Sequence, residues 1–341
     1  MKQTDIGAGV SRRTLLRGTM LGAATLGMPS VLRAQAPVKL RAAHIESTAS
    51  ATHKGYLAFA DRVKAATSGA VEIQVFPAGQ LGNLRDLYEG LKLGSVDITS
   101  SGPDYTANLA PVMVTAALYY SYQNDKHADR AFEGEFSTKL SDALAAQANM
   151  RILAWGELGW RSVFNTRRAI RTPDDFKGLK IRVPEAQLHI VPMRALGAAP
   201  SPIPYGEVYT SMQTGVVDGA EGTPAAVIQQ KFNEVSKFYS LTRHLYNPIH
   251  VVIGGASYGK LSAPQQKAVT DAAVVTFREQ REQSRKDNEA GLKDIAGRGL
   301  PVNDDVDAVA IRKIVEPTWA QLTKDLGPNG QALVKLLQAA A

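Results

Sequence analysis

The chain has 341 residues, a formal net charge of +7, and 44% hydrophobic and 21% charged residues. This is a globular composition rather than a disordered, collagenous or coiled-coil one. It contains no cysteine, which excludes a disulfide scaffold, a thiolate nucleophile, a zinc finger and an iron–sulfur centre. No uninterrupted apolar run reaches the roughly 18 residues of a spanning helix, so the mature chain is not expected to be an integral membrane protein.

Residues 1–36 read as an export signal. Ser11-Arg12-Arg13-Thr14-Leu15-Leu16 precedes a weakly apolar, Gly/Ala-rich stretch from Gly18 to Leu32, and Ala34-Gln35-Ala36 forms a cleavage box. The paired arginines resemble a bacterial twin-arginine signal. An ordinary secretory signal with incidental arginines is the other reading, and both lead to the periplasm. The segment carries five basic residues (Lys2, Arg12, Arg13, Arg17, Arg33) and one acidic (Asp5), so its removal lowers the net charge from +7 to +3. No clustered basic stripe with stacking aromatics remains, and nucleic acid is not an expected partner.

The remaining residues, about 305, suit two domains of ordinary size. Short β runs alternate with amphipathic helices, which is the pattern of an α/β protein. Val38 to His44 predicts a strand, Thr52 to Thr67 a helix with Tyr56, Phe59, Ala60 and Val63 on one face, and Val71 to Phe76 a second strand. After the breaker Pro77-Ala78-Gly79 come a helix near Leu84 to Leu93, a strand around Asp97 to Ser101, a longer helix ending near Ala146, and a buried strand from Arg151 to Leu158. A second series follows: strand Lys180 to Val183, helix Gln187 to Leu196, strand Ser201 to Ile203, helix Val208 to Thr214, and a buried strand from Pro248 to Ile253. Ser262 and Gln265 form a capping box with Pro264 in the first turn. From Pro264 to Gly297 no second proline occurs and good helix formers dominate, which predicts one helix of about 50 Å at 1.5 Å per residue. Two helices broken near Asn288 are the alternative.

Motifs for catalysis are missing. There is no G-x-x-x-x-G-K-[ST] loop, no G-x-G-x-x-G after a strand, no G-x-S-x-G elbow and no H-E-x-x-H helix. The six histidines (His44, His53, His127, His189, His244, His250) show no metal-ligand spacing, so neither a metal nor a cofactor is expected.

From Phe76-Pro77-Ala78-Gly79-Gln80-Leu81-Gly82 onward the chain carries a series of segments: Gly94-Ser95-Val96-Asp97-Ile98, Gly159-Trp160-Arg161, the run from Asp175 to Pro184, and the run from Glu207 to Gly219. Lys231-Phe232-Asn233-Glu234-Val235 and Leu261-Ser262-Ala263-Pro264-Gln265-Gln266 extend it. In order and spacing these resemble the solute-binding proteins of tripartite ATP-independent periplasmic (TRAP) transporters, the DctP-like family. The resemblance implies an α/β, two-lobed periplasmic-binding-protein fold, type II-like, with a ligand cleft between the lobes and the long helix running along both. Lobe I is expected at 37–158 plus about 247–286, and lobe II at 159–246 plus about 287–341. It further implies capture of a small organic acid and its delivery to membrane subunits, with no bond made or broken.

Arg182 ends a strand in which Lys180 and Arg182 alternate with Leu179, Ile181 and Val183. A planar guanidinium at a strand end can grip a carboxylate through two parallel hydrogen bonds, or it can form a structural salt bridge. The resemblance assigns it the carboxylate clamp. Arg161 is either a second ligand contact or a brace of the domain junction. The family's Asp-Gly-x-Glu-Asn stretch is here Asp218-Gly219-Ala220-Glu221 followed by Gly222 and Thr223, so an amide is missing that Thr223 or a water would replace. Ser101-Gly102-Pro103 stands where sialic-acid-binding members carry an acidic residue, which disfavours that ligand. Trp160, Tyr205, Tyr209 and the cluster Tyr119, Tyr120 and Tyr122 either line an apolar pocket or form core. The expected ligand contacts are Arg182, Arg161, Glu221, Gly222, Thr223, Trp160, Tyr205 and His44. The alternatives are a periplasmic enzyme using Glu207 or Glu221 as base, and a ligand-sensing partner of a membrane receptor.

Overall fold

The computed structural model describes residues 36–341; the expected export signal up to Gln35, Arg12 and Arg13 included, lies outside the described residues. The opening βαβ unit forms where its apolar pattern places it. Strands β1 (Val38–Ala43) and β2 (Val71–Phe76) pair in parallel, and α1 (Ala51–Ala66) buries Tyr56, Phe59 and Val63 with Leu40 and Val71. The Ser50 hydroxyl caps α1 by accepting from the His53 amide at 3.1 Å. Helix α2 (Leu84–Leu93) begins at a capping box of Asn83 and Asp86 and stops at Gly94, whose φ of 74° suits glycine. Strand β3 (Ile98–Ser101) then joins β1 in parallel.

After the short α3 (Pro103–Thr106), the helical stretch expected to end near Ala146 is two helices, α4 (Asp125–Glu133) and α5 (Glu135–Ala148), parted at Gly134. Strand β4 (Met150–Asn165) is twice the length its apolar run suggested. The second series is β5 (Lys180–Val183), α6 (Gln187–Ala195), β6 (Ala199–Pro202), α7 (Val208–Gln213), β7 (Gly219–Gly222) and α8 (Pro224–Gln229). Strand β8 (Phe238–Gly254) also exceeds its predicted apolar run, and after α9 (Gly255–Gly259) comes α10 (Ala263–Gly297), 35 residues without a break. One helix therefore forms, with the Ser262–Gln265 capping box at its start. Strand β9 (Val302–Asn303), α11 (Ala308–Val315), α12 (Thr318–Thr323) and α13 (Gly327–Ala339) complete the chain.

All strands share one sheet in the order β2-β1-β3-β8-β4-β7-β5-β6, with β9 beside β8. Its spine is the antiparallel ribbon of β4 and β8. Strand β3 is hydrogen-bonded to β8 at His250–Ile253, and β7 to β4 at Ser162–Asn165. These are opposite ends of the ribbon, and each carries a flank of parallel strands. The stretch between, with Glu157 paired to Pro248 and Arg161 to Leu245, bears no third strand. Two lobes thus arise from a single sheet, joined by strands that pass through both. Register shifts at Ile152/Ala154, Glu157/Gly159 and Arg161/Val163 bend the ribbon along this stretch.

Helix α10 is fastened to that same bend. The Gln280 amide accepts from Glu157 N at 3.0 Å and donates to Glu157 O at 2.8 Å. Ser284 Oγ and Asn288 Nδ2 both donate to Leu158 O, at 3.1 and 2.7 Å. Gly159 there has φ 108°, which favours glycine. The Asn288 side chain also accepts from Ala225 N of α8 at 3.1 Å, so the helix links the ribbon to the second flank.

The last helix departs from the expected lobe division, which put 287–341 wholly in lobe II. Leu333 and Leu337 of α13 join a core cluster with Phe132, Phe136 and Leu140 of α4 and α5. His127 Nε2 lies 2.7 Å from Leu337 O, and Arg130 Nε donates to Ala340 O at 2.6 Å. The amphipathic face of α13, spaced Gly330, Leu333, Leu337, finds its apolar partner in the first half of the chain.

Candidate functional site

A cavity of about 590 Å³ opens over the bare stretch of the ribbon. Leu158, Arg161, Asn247 and Ile249 form its floor, and Ser284 and Asp287 of α10 reach one wall. The remaining walls come from residues just past strand ends: Glu46 after β1, Asp104 after β3, Glu185 after β5, Tyr205 after β6 and Thr223 after β7. An α/β sheet presents ligands with this edge, because loops there converge and backbone groups are free.

Two buried arginines dominate the electrostatics, with 8% of Arg161 and 4% of Arg182 exposed. Arg161 is committed to protein. Its Nε and Nη2 fork the Glu221 carboxylate, Nη2 also donates to Glu221 O at 2.7 Å, and Nη1 donates to Asn247 Oδ1 at 2.9 Å. Burial alone pushes the Glu221 carboxyl up, but the Arg161 charge, aided by His244, outweighs it and holds Glu221 well below the usual carboxylate range. The same pairing raises Arg161 against the pull of burial.

Arg182 is the opposite case. Its only hydrogen bond among the described residues runs from Nε to Ile203 O at 2.7 Å, and it has no ion-pair partner there. The Tyr205 ring lies 5.9 Å from the guanidinium carbon. Burial, joined by repulsion from Arg161 and only partly offset by Glu221, lowers Arg182 to about 10, which leaves it charged at neutral pH. Both of its Nη groups are free to meet an anion in the cavity.

The cavity thus gathers Arg182, Arg161, Glu221, Gly222, Thr223 and Tyr205. It does not gather His44 or Trp160. The chain leaves β1 at Ala43, and the turn delivers Ile45 and Glu46 to the cavity while His44 is fully buried, stacked on Tyr56 with ring centroids 5.0 Å apart and 3.1 Å from His53 Nδ1. Burial, with His53 beside it, lowers His44 to about 3. Trp160 precedes Arg161 on β4, and neighbours along a strand point to opposite faces. Its indole therefore turns from the cavity, donates to Asp125 Oδ1 at 2.7 Å and meets Tyr246 edge-on. Tyr119 and Tyr122 are core, Tyr120 donates to Thr242 O, and Tyr209 donates to Glu234 outside the cavity. Thr223 Oγ1 is spent on capping α8, and the amides lining the cavity include Asn247 and Gln230.

Sequence reasoning missed Glu46, Asp104 and His189. Asp104 lies 3.6 Å from His189 Nε2, and it is held low despite burial by that histidine and by Arg161. Glu46 has no such partner, and burial, only partly offset by Arg161, raises it to about 7. For Glu46 and Asp104 the available signal was position, an acidic residue two or three residues beyond a predicted strand; His189, inside a predicted helix, gave none.

The family model of the bacterial extracellular solute-binding proteins, family 7, matches residues 42–325. The chain belongs to this family, the solute-binding proteins of TRAP transporters. It is 33% identical over 297 residues to the 2,3-diketo-L-gulonate-binding periplasmic protein YiaO of Escherichia coli K12, covering 87% of this chain and 90% of that one. A solved TRAP periplasmic solute-binding protein of Chromohalobacter salexigens with bound D-glucuronate superposes with a TM-score of 0.85 at 30% identity, over 89% of this chain and 100% of that one. The sugar-acid-binding protein DctPAm of Advenella mimigardefordensis, in complex with galactonate, gives 0.85 at 28% identity, over 89% and 99%. The protein is thus a periplasmic binding component of transport and not an enzyme, and Glu207, exposed and outside the cavity, needs no role as a base. Among the described residues no helix is long and apolar enough to cross a membrane.

Proposed function

We propose that this protein captures a sugar acid, an aldonate or uronate, and hands it to the membrane subunits of a TRAP transporter after export by the twin-arginine route. The observation that carries the reading is Arg182: a buried guanidinium with two unengaged Nη groups, on a residue that lines a cavity of about 590 Å³. The bound glucuronate and galactonate of the two solved relatives support it. Charge-assisted hydrogen bonds contribute about 1.5–3 kcal/mol each, so a bidentate clamp supplies about half of the roughly 8 kcal/mol of micromolar capture. The remainder falls to the rest of the lining, Tyr205, Gly222 and the wall that carries Glu46 among it. Ligand bridging the two walls has more contacts when the lobes close, and this difference in affinity is what favours closure.

Thermal-shift and calorimetric titration with glucuronate and galactonate, against glucose as the uncharged control, tests the reading. Stabilisation by the acids alone is expected, and Arg182→Ala should remove it. Equal shifts in wild type and variant would take Arg182 out of the site. Replacing Arg12 and Arg13 by lysine should block export if the twin-arginine route is used.

A further inference from the structure

Six acidic residues line the cavity, and five have a partner for at least one carboxylate oxygen. Glu221 holds Arg161, and Asp104 faces His189 at 3.6 Å. Asp86 accepts from Asn83 N at 2.9 Å, Glu185 from the Tyr105 hydroxyl at 3.2 Å, and Asp287 from Gln283 Nε2 at 2.6 Å. The sixth, Glu46, has neither a hydrogen bond nor an ion pair to its carboxylate among the described residues; only its backbone oxygen is used, by Ala78 N at 3.1 Å. The cavity therefore offers a ligand one unsatisfied cation, Arg182, and among its carboxylates one, Glu46, with no partner at all; Asp287 leaves only Oδ2 without a hydrogen bond, 4.0 Å from Lys54 Nζ. A buried polar group left without a partner is costly, so Arg182 and Glu46 are both sites where a ligand gains most by supplying one.

We propose that Glu46 is the specificity-determining residue of the site: it accepts hydrogen bonds from hydroxyls of the acid's tail and excludes ligands that carry a second carboxylate. The inference rests on the sugar-acid reading above and extends it to a discrimination. A tail hydroxyl donates to the Glu46 carboxylate. Above pH 8, where the Glu46 carboxyl is ionised, a tail carboxylate has no proton to donate and would meet Glu46 as a like charge, alongside five other acidic groups.

The pair galactonate and galactarate isolates this discrimination, because they differ only in whether the far carbon is a hydroxymethyl group or a carboxylate. At pH 8.5, with Glu46 ionised, wild-type protein should bind galactonate at least about tenfold more tightly than galactarate. Glu46→Gln keeps the shape and removes the charge; it should weaken galactonate about tenfold, the loss of a charge-assisted hydrogen bond, and bring the two ligands close together. Glu46→Ala should do the same. Unchanged galactonate affinity and an unchanged ratio in both variants, while wild type binds galactonate, would overturn the role of Glu46 and leave the sugar-acid reading standing. If wild type binds neither galactonate nor glucuronate, that reading fails and this inference falls with it. Tighter binding of 6-aminohexanoate than of galactonate, lost in Glu46→Gln, would make Glu46 the counter-ion of a cationic tail and also overturn the proposal.

Discussion

Arg161 and Arg182 stand in one cavity, both almost wholly buried, yet they are built for different ends. Arg161 spends its guanidinium on Glu221 and Asn247, so its charge is neutralised before any ligand arrives. Arg182 keeps one hydrogen bond to a backbone carbonyl and leaves the rest of its fork open. Burial is common to both, and partnership separates them: one guanidinium is fully engaged by the protein and the other is not.

The comparison breaks first under binding measurements. Arg182→Ala should lower affinity for glucuronate by a hundredfold or more, from two charge-assisted bonds of about 1.5–3 kcal/mol each, while the melting temperature of the ligand-free protein holds or rises, because an uncompensated buried cation has gone. Arg161→Ala should do the reverse in the melt: it strands Glu221 with 2% of its surface exposed, a loss of about 3–5 kcal/mol, readable in a urea titration. Replacing Arg161 and Glu221 together by apolar residues of similar volume should recover most of that stability. A full loss in the double variant would show that Arg161 is needed for more than its partner.

Smaller effects sharpen the contrast. Arg182→Lys retains the charge but lacks the fork, and should bind glucuronate at least about tenfold more weakly than wild type. Glu46→Gln should be felt in the ligand-free protein as well. The carboxyl of Glu46 is raised from 4.5 to about 7 in the fold, so the unfolded chain ionises first. Its contribution to stability is complete below about 4.5, falls as pH rises towards 7, and is gone above that. The variant should therefore melt higher than wild type at pH 8, on the order of a few °C, and alike at pH 4.5. Equal melting at both pH values would place Glu46 in contact with more water than its burial indicates.

Elements with a clear apolar pattern were legible, β1, α1, β2 and α2, and so was the long α10, from its capping box and its proline-free run of helix formers; all form close to where the residues put them. The two longest strands were half legible, for a physical reason. Their apolar runs stop where the ribbon passes beneath the cavity and carries Arg161, Ser162, His244 and Asn247, residues that solvate or bind rather than pack. Strand β7, Gly219–Gly222, was invisible because glycine has low strand propensity. At the site, Arg182 could be reasoned from its place on a strand, but whether Arg161 was paired could not, since Glu221 lies 60 residues away in sequence. Trp160 and His44 lie outside the cavity because of facing: the alternation along β4 and the turn after β1 are set by the bulges and packing of the folded chain.

The return of α13 to α4 and α5 has a consequence for biosynthesis. Leu333 and Leu337 complete a core in which Phe132, Phe136 and Leu140 are made some two hundred residues earlier. The core around α4 and α5 therefore gains its last members only when residues 327–339 have been made and can return to it.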